Sequence, residues 1–291
     1  MYLDTFISYL KHEKRYSPHT VQSYQNDLAQ FHHFLKEKCA VETPVAVSHF
    51  HIRSWMASLM ENKISPRSIN RKISSLKSFF KFLRKTGEVA VNPMLKVVAP
   101  KISRRLPAYV EKSDTEKLLK HTEFKEGFSG KRDKLIFEIL YLTGIRLSEL
   151  VNLKETDIDR GRKEMKVVGK GNKQRVIPLH QNLLESISEY LALKAEKYQS
   201  EYLIVTDSGK KLYPKFVYRT VNFYLGKVTT VEKKSPHTMR HTFATHLVDN
   251  GAELNAVKEL LGHSSLAATQ VYTHNSIEKL KETYKKAHPK A

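Results

Sequence analysis

The stretch 164–179, "EMKVVGKGNKQRVIPL", decides the fold class. Two short apolar runs, 165–168 and 175–179, flank a turn holding Gly169, Gly171 and Asn172. Strand-forming runs separated by glycine and asparagine read as a β-hairpin. Helical patterns surround it on both sides. The expected class is therefore mainly α with a small β-sheet, an α+β chain.

Working outward, "KRDKLIFEILYLTG" (131–144) reads as a buried helix stopped by Gly144. Ahead of it, Ser113 and Glu116 have the spacing of a capping box that opens another helix. After the hairpin, "QNLLESISEYLALKAEKY" (181–198) begins a run of mostly helical segments. One of these is "SPHTMRHTFATHLVDNG" (235–251), where Ser235 is the expected N-cap and Pro236 the first helical residue. Met239, Phe243 and Leu247 share one face of that helix and are expected to fill a core.

The chain before residue 87 reads as four helices. Leu3, Phe6, Ile7 and Leu10 form the first stripe. Ser17-Pro18 opens a second helix with Val21, Leu28, Phe31 and Leu35 inside, and Ser48 starts a third with Ile52, Trp55 and Met56. Ser65-Pro66 repeats the opening device for a fourth, which Gly87 closes. Residues 87–106 carry Pro93 and Pro100 with Lys101, Arg104 and Arg105, and read as a basic linker. The expected division is 1–86, 87–106 and 107–291.

Charge narrows the function. The 291 residues include 50 Lys+Arg against 30 Asp+Glu, a formal net charge of +20. That excess predicts a polyanionic partner, nucleic acid or an acidic membrane. No apolar run approaches a bilayer's thickness, so nucleic acid is the expected partner. The opening "MYLDTFISYLKHEKRYS" reads as an amphipathic helix and not as a signal peptide. With Cys39 as the single cysteine, no disulfide framework or thiolate zinc site is expected, and a cytoplasmic location follows by default. Arg67, Arg71, Lys72, Lys77, Lys81, Arg84 and Lys85 crowd the fourth helix and its end. Together with Arg104 and Arg105 they read as a phosphate-tracking surface.

Several residues can carry chemistry. His237 sits in the first turn of its helix, where free N–H groups and the helix dipole favour an anion, and Arg240 lies one turn on. In "LTGIRLSEL", Arg146 follows a glycine stop, and Glu149 one turn later is placed to orient it. A guanidinium stays protonated and offers a planar fork for two phosphate oxygens. A metal site built from His237, His241 and His246 lacks a clear third ligand, and His246 falls near the apolar face as a core residue. Lys170 lies between two glycines at the hairpin tip, in a loop that does not match a nucleotide-phosphate motif. Asp157 and Asp159 read as residues of a turn and strand start rather than as a carboxylate metal cluster.

In chain order these form one pattern: TGIRLSEL, GKG, HTMRH, LGH and finally YTH. On those five motifs the chain resembles the tyrosine site-specific recombinases, or integrases, most closely the Xer type. The resemblance implies that Arg146 and Arg240 clamp a scissile phosphate. It makes Lys170 the general acid, with Lys173 as the alternative, and gives His237 and His263 supporting hydrogen bonds and proton transfer. Tyr272 becomes the nucleophile, and Glu149 orients rather than reacts. The implied reaction runs through a 3′-phosphotyrosine and a Holliday junction, with no metal, cofactor or ATP. Residues 1–86 then correspond to a SAM-like core-binding domain and 107–291 to a catalytic domain whose C-terminal helix exchanges between protomers. The implied partners are a double-stranded DNA recombination site, a homo- or hetero-tetramer with a second recombinase, and a septal DNA translocase. Neither a membrane nor a small-molecule substrate is implied. The implied task is chromosome-dimer resolution at cell division, and no further arm-site-binding domain is expected. The alternatives are an integrase or invertase of a mobile element, a non-catalytic DNA-binding protein, and a type IB topoisomerase.

Overall fold

The structure, a computed structural model, describes residues 2–102, 108–122, 124–169, 173–262 and 287. The chain divides into two compact units, Met1–Arg105 and Leu106–Ala291.

The first unit is built from α1 (Tyr2–His12), α2 (Pro18–Cys39), α3 (His49–Glu61) and α4 (Pro66–Lys85). Ser17 and Ser65 cap α2 and α4 with their side chains, and the following prolines occupy the first turns. The apolar stripes converge on one core in which Phe6, Ile52, Ile69, Leu76 and Phe80 are fully buried. Cys39 ends α2 half-buried against that core. Residues after α4 do not run free as a linker. Val89, Met94 and Val97 are buried in the same core, and a 3₁₀ turn, Pro93–Lys96, packs on α3 and α4. Arg53 donates to the Lys96 carbonyl (2.8 Å) and Asn70 to that of Pro100 (3.0 Å). The prolines that prevent a helix here still leave apolar side chains to be covered, and the four-helix core covers them.

The second unit holds α5 (Lys112–Glu116), α6 (Gly127–Thr143), α7 (Leu147–Leu150), β1 (Ile158–Asp159), β2 (Glu164–Val168), β3 (Gln174–Pro178), α8 (Gln181–Ala195), α9 (Pro214–Val228), α10 (Pro236–Asp249) and α11 (Leu254–Leu261). The strands form an antiparallel sheet in the order β1-β2-β3. Register pairs Met165 with Ile177 and Val167 with Arg175, so these four side chains share one face. Helix α6 runs through the centre, with α8 and α10 packed on it. Its Leu135, Ile136, Phe137, Ile139 and Leu140 are all but inaccessible. Among the described residues no helix is long and apolar enough to cross a membrane.

Helix α5 departs from the expected capping box. It starts at Lys112 with Glu111 as N-cap and no side-chain cap bond. Ser113 therefore lies inside the first turn, where its helical backbone removes it from the capping role.

Candidate active site

The TGIR turn is shaped by packing. Gly144 ends α6 in the left-handed region (φ 60°), and a β-carbon there would lie 2.3 Å from the Phe243 ring on α10. Only glycine lets α6 and α10 approach this closely. The tight turn buries Ile145 completely and delivers Arg146 as the N-cap residue of the four-residue α7. Glu149 reaches back to accept from the Arg146 backbone N–H (2.7 Å) and from its guanidinium Nη1 (2.8 Å).

On α10, Ser235 caps the helix by accepting from the Thr238 N–H, and Pro236 fills the first position. Met239, Phe243 and Leu247 are fully buried. Arg240 is 6% exposed and donates to the Gly144 carbonyl and to that of Leu261, both at 2.6 Å. His237 is exposed in the first turn of the same helix. His246 is buried and its Nδ1 lies 3.1 Å from the Tyr141 hydroxyl, so it belongs to the interior. Among the described residues no three His, Cys, Asp or Glu side chains gather as a metal site.

Arg146 and Arg240 meet at the C-terminal end of α11. Arg146 Nη2 donates to the Gly262 carbonyl (2.9 Å), next to the Leu261 carbonyl held by Arg240. A helix C-terminus carries unsatisfied carbonyls and the negative end of its dipole, which suits cations. Gly262 turns the chain in the left-handed conformation (φ 62°) directly after them.

A third arginine, Arg175, was not among the candidates. It projects from β3 into this cluster, and its Nη1 and Nη2 donate to the two oxygens of Glu149 at 2.7 and 2.8 Å. The strand's two-residue period carried the signal: residues 175, 177 and 179 share the inward face, and a charged residue there needs a buried partner.

Three guanidiniums against one carboxylate leave this cluster two positive charges in excess. Burial, with Arg146 and Arg175 beside it, pushes Arg240 down to about 10. Burial alone would raise the Glu149 carboxyl, but hydrogen bonds from Arg175 and Arg146 bring it below its ordinary value. Among the described residues Arg240 has carbonyl partners and no carboxylate in ion-pair range. A concentrated, partly desolvated positive charge of this kind suits a phosphate.

Of the remaining candidates, Lys173 is exposed just before the strand that carries Arg175, and its carbonyl accepts from Gly169 N–H (2.7 Å). Lys170, His263 and Tyr272, together with Arg104 and Arg105, lie outside the described residues. On α4, Arg67, Arg71 and Lys77 are exposed. Lys72 corrects the reading of that face. It is 6% exposed and points inward to Asp27 (3.0 Å) and Gln30 (2.5 Å), so its charge is consumed inside the bundle. Arg71 also binds Asp27 with both terminal nitrogens, though half of its side chain remains in solvent.

Residues 108–279 match the description "Phage integrase family", and residues 3–87 match "Phage integrase, N-terminal SAM-like domain". A relative named tyrosine recombinase XerC, from Chlorobaculum parvum, is 37% identical over 318 residues, covering 100% of this chain and 95% of the relative. The chain belongs to the phage integrase family of tyrosine recombinases. Tyrosine recombinase XerC of Staphylococcus epidermidis is 38% identical over 291 residues, covering 99% and 97% of the two chains, which places this recombinase with the Xer type. Solved structures share the fold. XerH site-specific recombinase bound to a palindromic difH substrate superposes with TM-score 0.72 at 21% identity, over 96% of this chain and 82% of that one. A lambda integrase dimer bound to a core site gives 0.70 at 20% identity, over 93% and 98%.

Proposed function

We propose that this recombinase binds a duplex DNA recombination site and exchanges strands there through a 3′-phosphotyrosyl intermediate. The observation that carries the proposal is the meeting of Arg146 and Arg240 at the end of α11 with two positive charges in excess. Attack on a phosphodiester builds negative charge on its nonbridging oxygens, and preorganised guanidiniums stabilise that charge best in the transition state.

A free tyrosine hydroxyl has a pKa of roughly 10 and is a poor nucleophile at neutral pH, so Tyr272 needs activation by its site. With the phosphate held by Arg146 and Arg240, its oxygen attacks phosphorus and the bond to the 5′ oxygen breaks. Lys170 supplies the proton to that leaving oxygen, with Lys173 as its alternative. His237 and His263 hold the phosphate and pass protons. The 5′-hydroxyl of a partner strand then attacks the phosphotyrosine, restoring a phosphodiester and releasing the tyrosine. The ester conserves the bond energy, so the exchange needs no ATP.

In this reading residues 1–86 grip the DNA, 87–106 pack Val89, Met94 and Val97 on the first core before leading into the next unit, and 107–291 cleave. Arg67, Arg71, Lys77, Arg104 and Arg105 supply phosphate contacts. Four protomers, alone or with a second recombinase, pass through a Holliday junction, and a septal DNA translocase licenses the reaction. The setting is the cytoplasm, and the task is resolution of chromosome dimers, which the full-length likeness to the XerC relatives supports.

The test is covalent trapping on nicked suicide DNA carrying Xer-like sites from the source genome, with Tyr272→Phe beside the wild type. A denaturant-resistant adduct in the wild type alone is expected. Specific binding without an adduct, or an adduct that survives Tyr272→Phe, overturns the proposal.

A further inference from the structure

Three consecutive carbonyls at the end of α11 are each taken by a different arginine. Arg175 Nε donates to Leu260 (2.8 Å), Arg240 to Leu261 (2.6 Å) and Arg146 to Gly262 (2.9 Å). These arginines come from β3, α10 and the turn before α7, three elements far apart in sequence. Two are candidate phosphate ligands, and the third has no part in that reading. We propose that Arg175 is a positioning residue for strand cleavage, fixing Arg146 through their shared partner Glu149 and fixing the last turn of α11 through the Leu260 carbonyl.

Arg175 is placed to act only through others. All three of its nitrogens bond inward, two to Glu149 and one to Leu260, and its side chain is 5% exposed. Arg146, by contrast, keeps a third of its side chain exposed while donating to the same Glu149 oxygen. The position of Arg146 therefore depends on where Arg175 holds the carboxylate. Packing around the group is close: a β-carbon on Gly262 would lie 3.1 Å from Arg175 Cδ, and one on Gly169 would lie 3.3 Å from Glu149 Oε1. The residue that follows Gly262 in the chain is His263. Setting the last turn of α11 sets the point from which the chain leaves toward His263. Lysine cannot replace this group, because its three donors radiate from one nitrogen and cannot span both Glu149 oxygens and the Leu260 carbonyl as the planar guanidinium does.

The inference rests on the reading of Arg146 and Arg240 as phosphate ligands, and the wild type separates the two. If the wild type forms no adduct, that reading fails; the variants then have nothing to report on. Given a wild-type adduct, Arg175→Lys and Arg175→Met should each slow its formation by about 100-fold at saturating DNA, the size of effect a displacement near 1 Å produces. Site affinity should stay at the wild-type value. The pH profile separates positioning from general loosening. The charged groups facing Glu149 are Arg146 from the turn before α7, Arg175 from β3 and Arg240 from α10. Removing Arg175 takes away bonds that hold the carboxyl down against burial, so cleavage by Arg175→Met should fall further as pH is lowered than wild-type cleavage does. The double variant Glu149→Gln/Arg175→Met leaves no unpaired carboxylate, which protects folding. It should be as slow as Arg175→Met and should lose that added acid dependence. Wild-type cleavage by the double variant, or cleavage and binding falling together in the single variants, overturns the assignment.

Discussion

Asp27 and Glu149 are buried alike, each with 1% of its side chain exposed and each gripped by two cations. Their surroundings differ in how the charge is closed. Asp27 joins α2 to α4: Arg71, Lys72 and Ser75 all donate to it, and Gln30 takes a further bond from Lys72. The surplus charge there sits on Arg71, whose side chain is half in solvent and so costs little. Around Glu149 two charges are in surplus, and one of them is on Arg240, which is buried and donates only to carbonyls among the described residues. Uncompensated buried charge is expensive and gathers where a ligand completes it. One carboxylate closes a helix bundle, and the other holds open a site for an anion.

The sharpest way to break that contrast is to remove one arginine from each network. Arg240→Ala should slow adduct formation by roughly 10³-fold, the loss seen when an aimed donor leaves a developing oxyanion. DNA affinity should persist, because it is spread over many phosphates. Arg71→Ala should leave the cleavage rate of bound complex unchanged. Single-turnover trapping beside gel-shift affinities checks both, and equal losses of cleavage in the two variants would remove the distinction.

The second prediction concerns stability. Asp27→Ala strands Lys72, whose side chain is only 8% exposed, next to an arginine. The cost should be about 3 kcal/mol, the low end for a broken buried pair, since Arg71 can turn to solvent. Asp27→Asn/Lys72→Met should recover most of it. Trp55 is the chain's one tryptophan and lies in the first unit's core, so its fluorescence during urea unfolding follows that unit. Unfolding of the second unit should not shift.

How much of this was legible in the sequence depends on the kind of signal. The caps at Ser17, Ser65 and Ser235, the glycine stop at 144 and the hairpin all rest on local rules, and each element formed where those rules put it. Arg146, Glu149 and Arg240 were legible as candidates from turn and helix spacing, and the structure brings them together. Lys72 was misread and Arg175 missed for one reason. Whether a basic side chain meets solvent or a buried carboxylate is decided by a partner 45 or 26 residues away, a distance no periodicity reports. Val89, Met94 and Val97 show the same limit in apolar form, since proline spacing announces a linker but does not reveal the core that covers it.

The smallest effect separates Lys72 from its neighbours on α4. Lys77 is exposed, and Lys72 is closed off by Asp27 and Gln30. Removing a lysine that neutralises one phosphate lowers the slope of log affinity against log salt by about 1. Lys77→Ala should therefore weaken DNA binding modestly and flatten the salt dependence by that amount. Lys72→Met should leave the slope as it is while lowering the urea midpoint of the first unit, because its charge is spent on Asp27 before DNA arrives. Fluorescence titrations across a salt series measure both slopes on one site. A flattened slope for Lys72→Met would mean that DNA draws the lysine out of its pair, and the Asp27 network would then belong with the binding surface instead of the core.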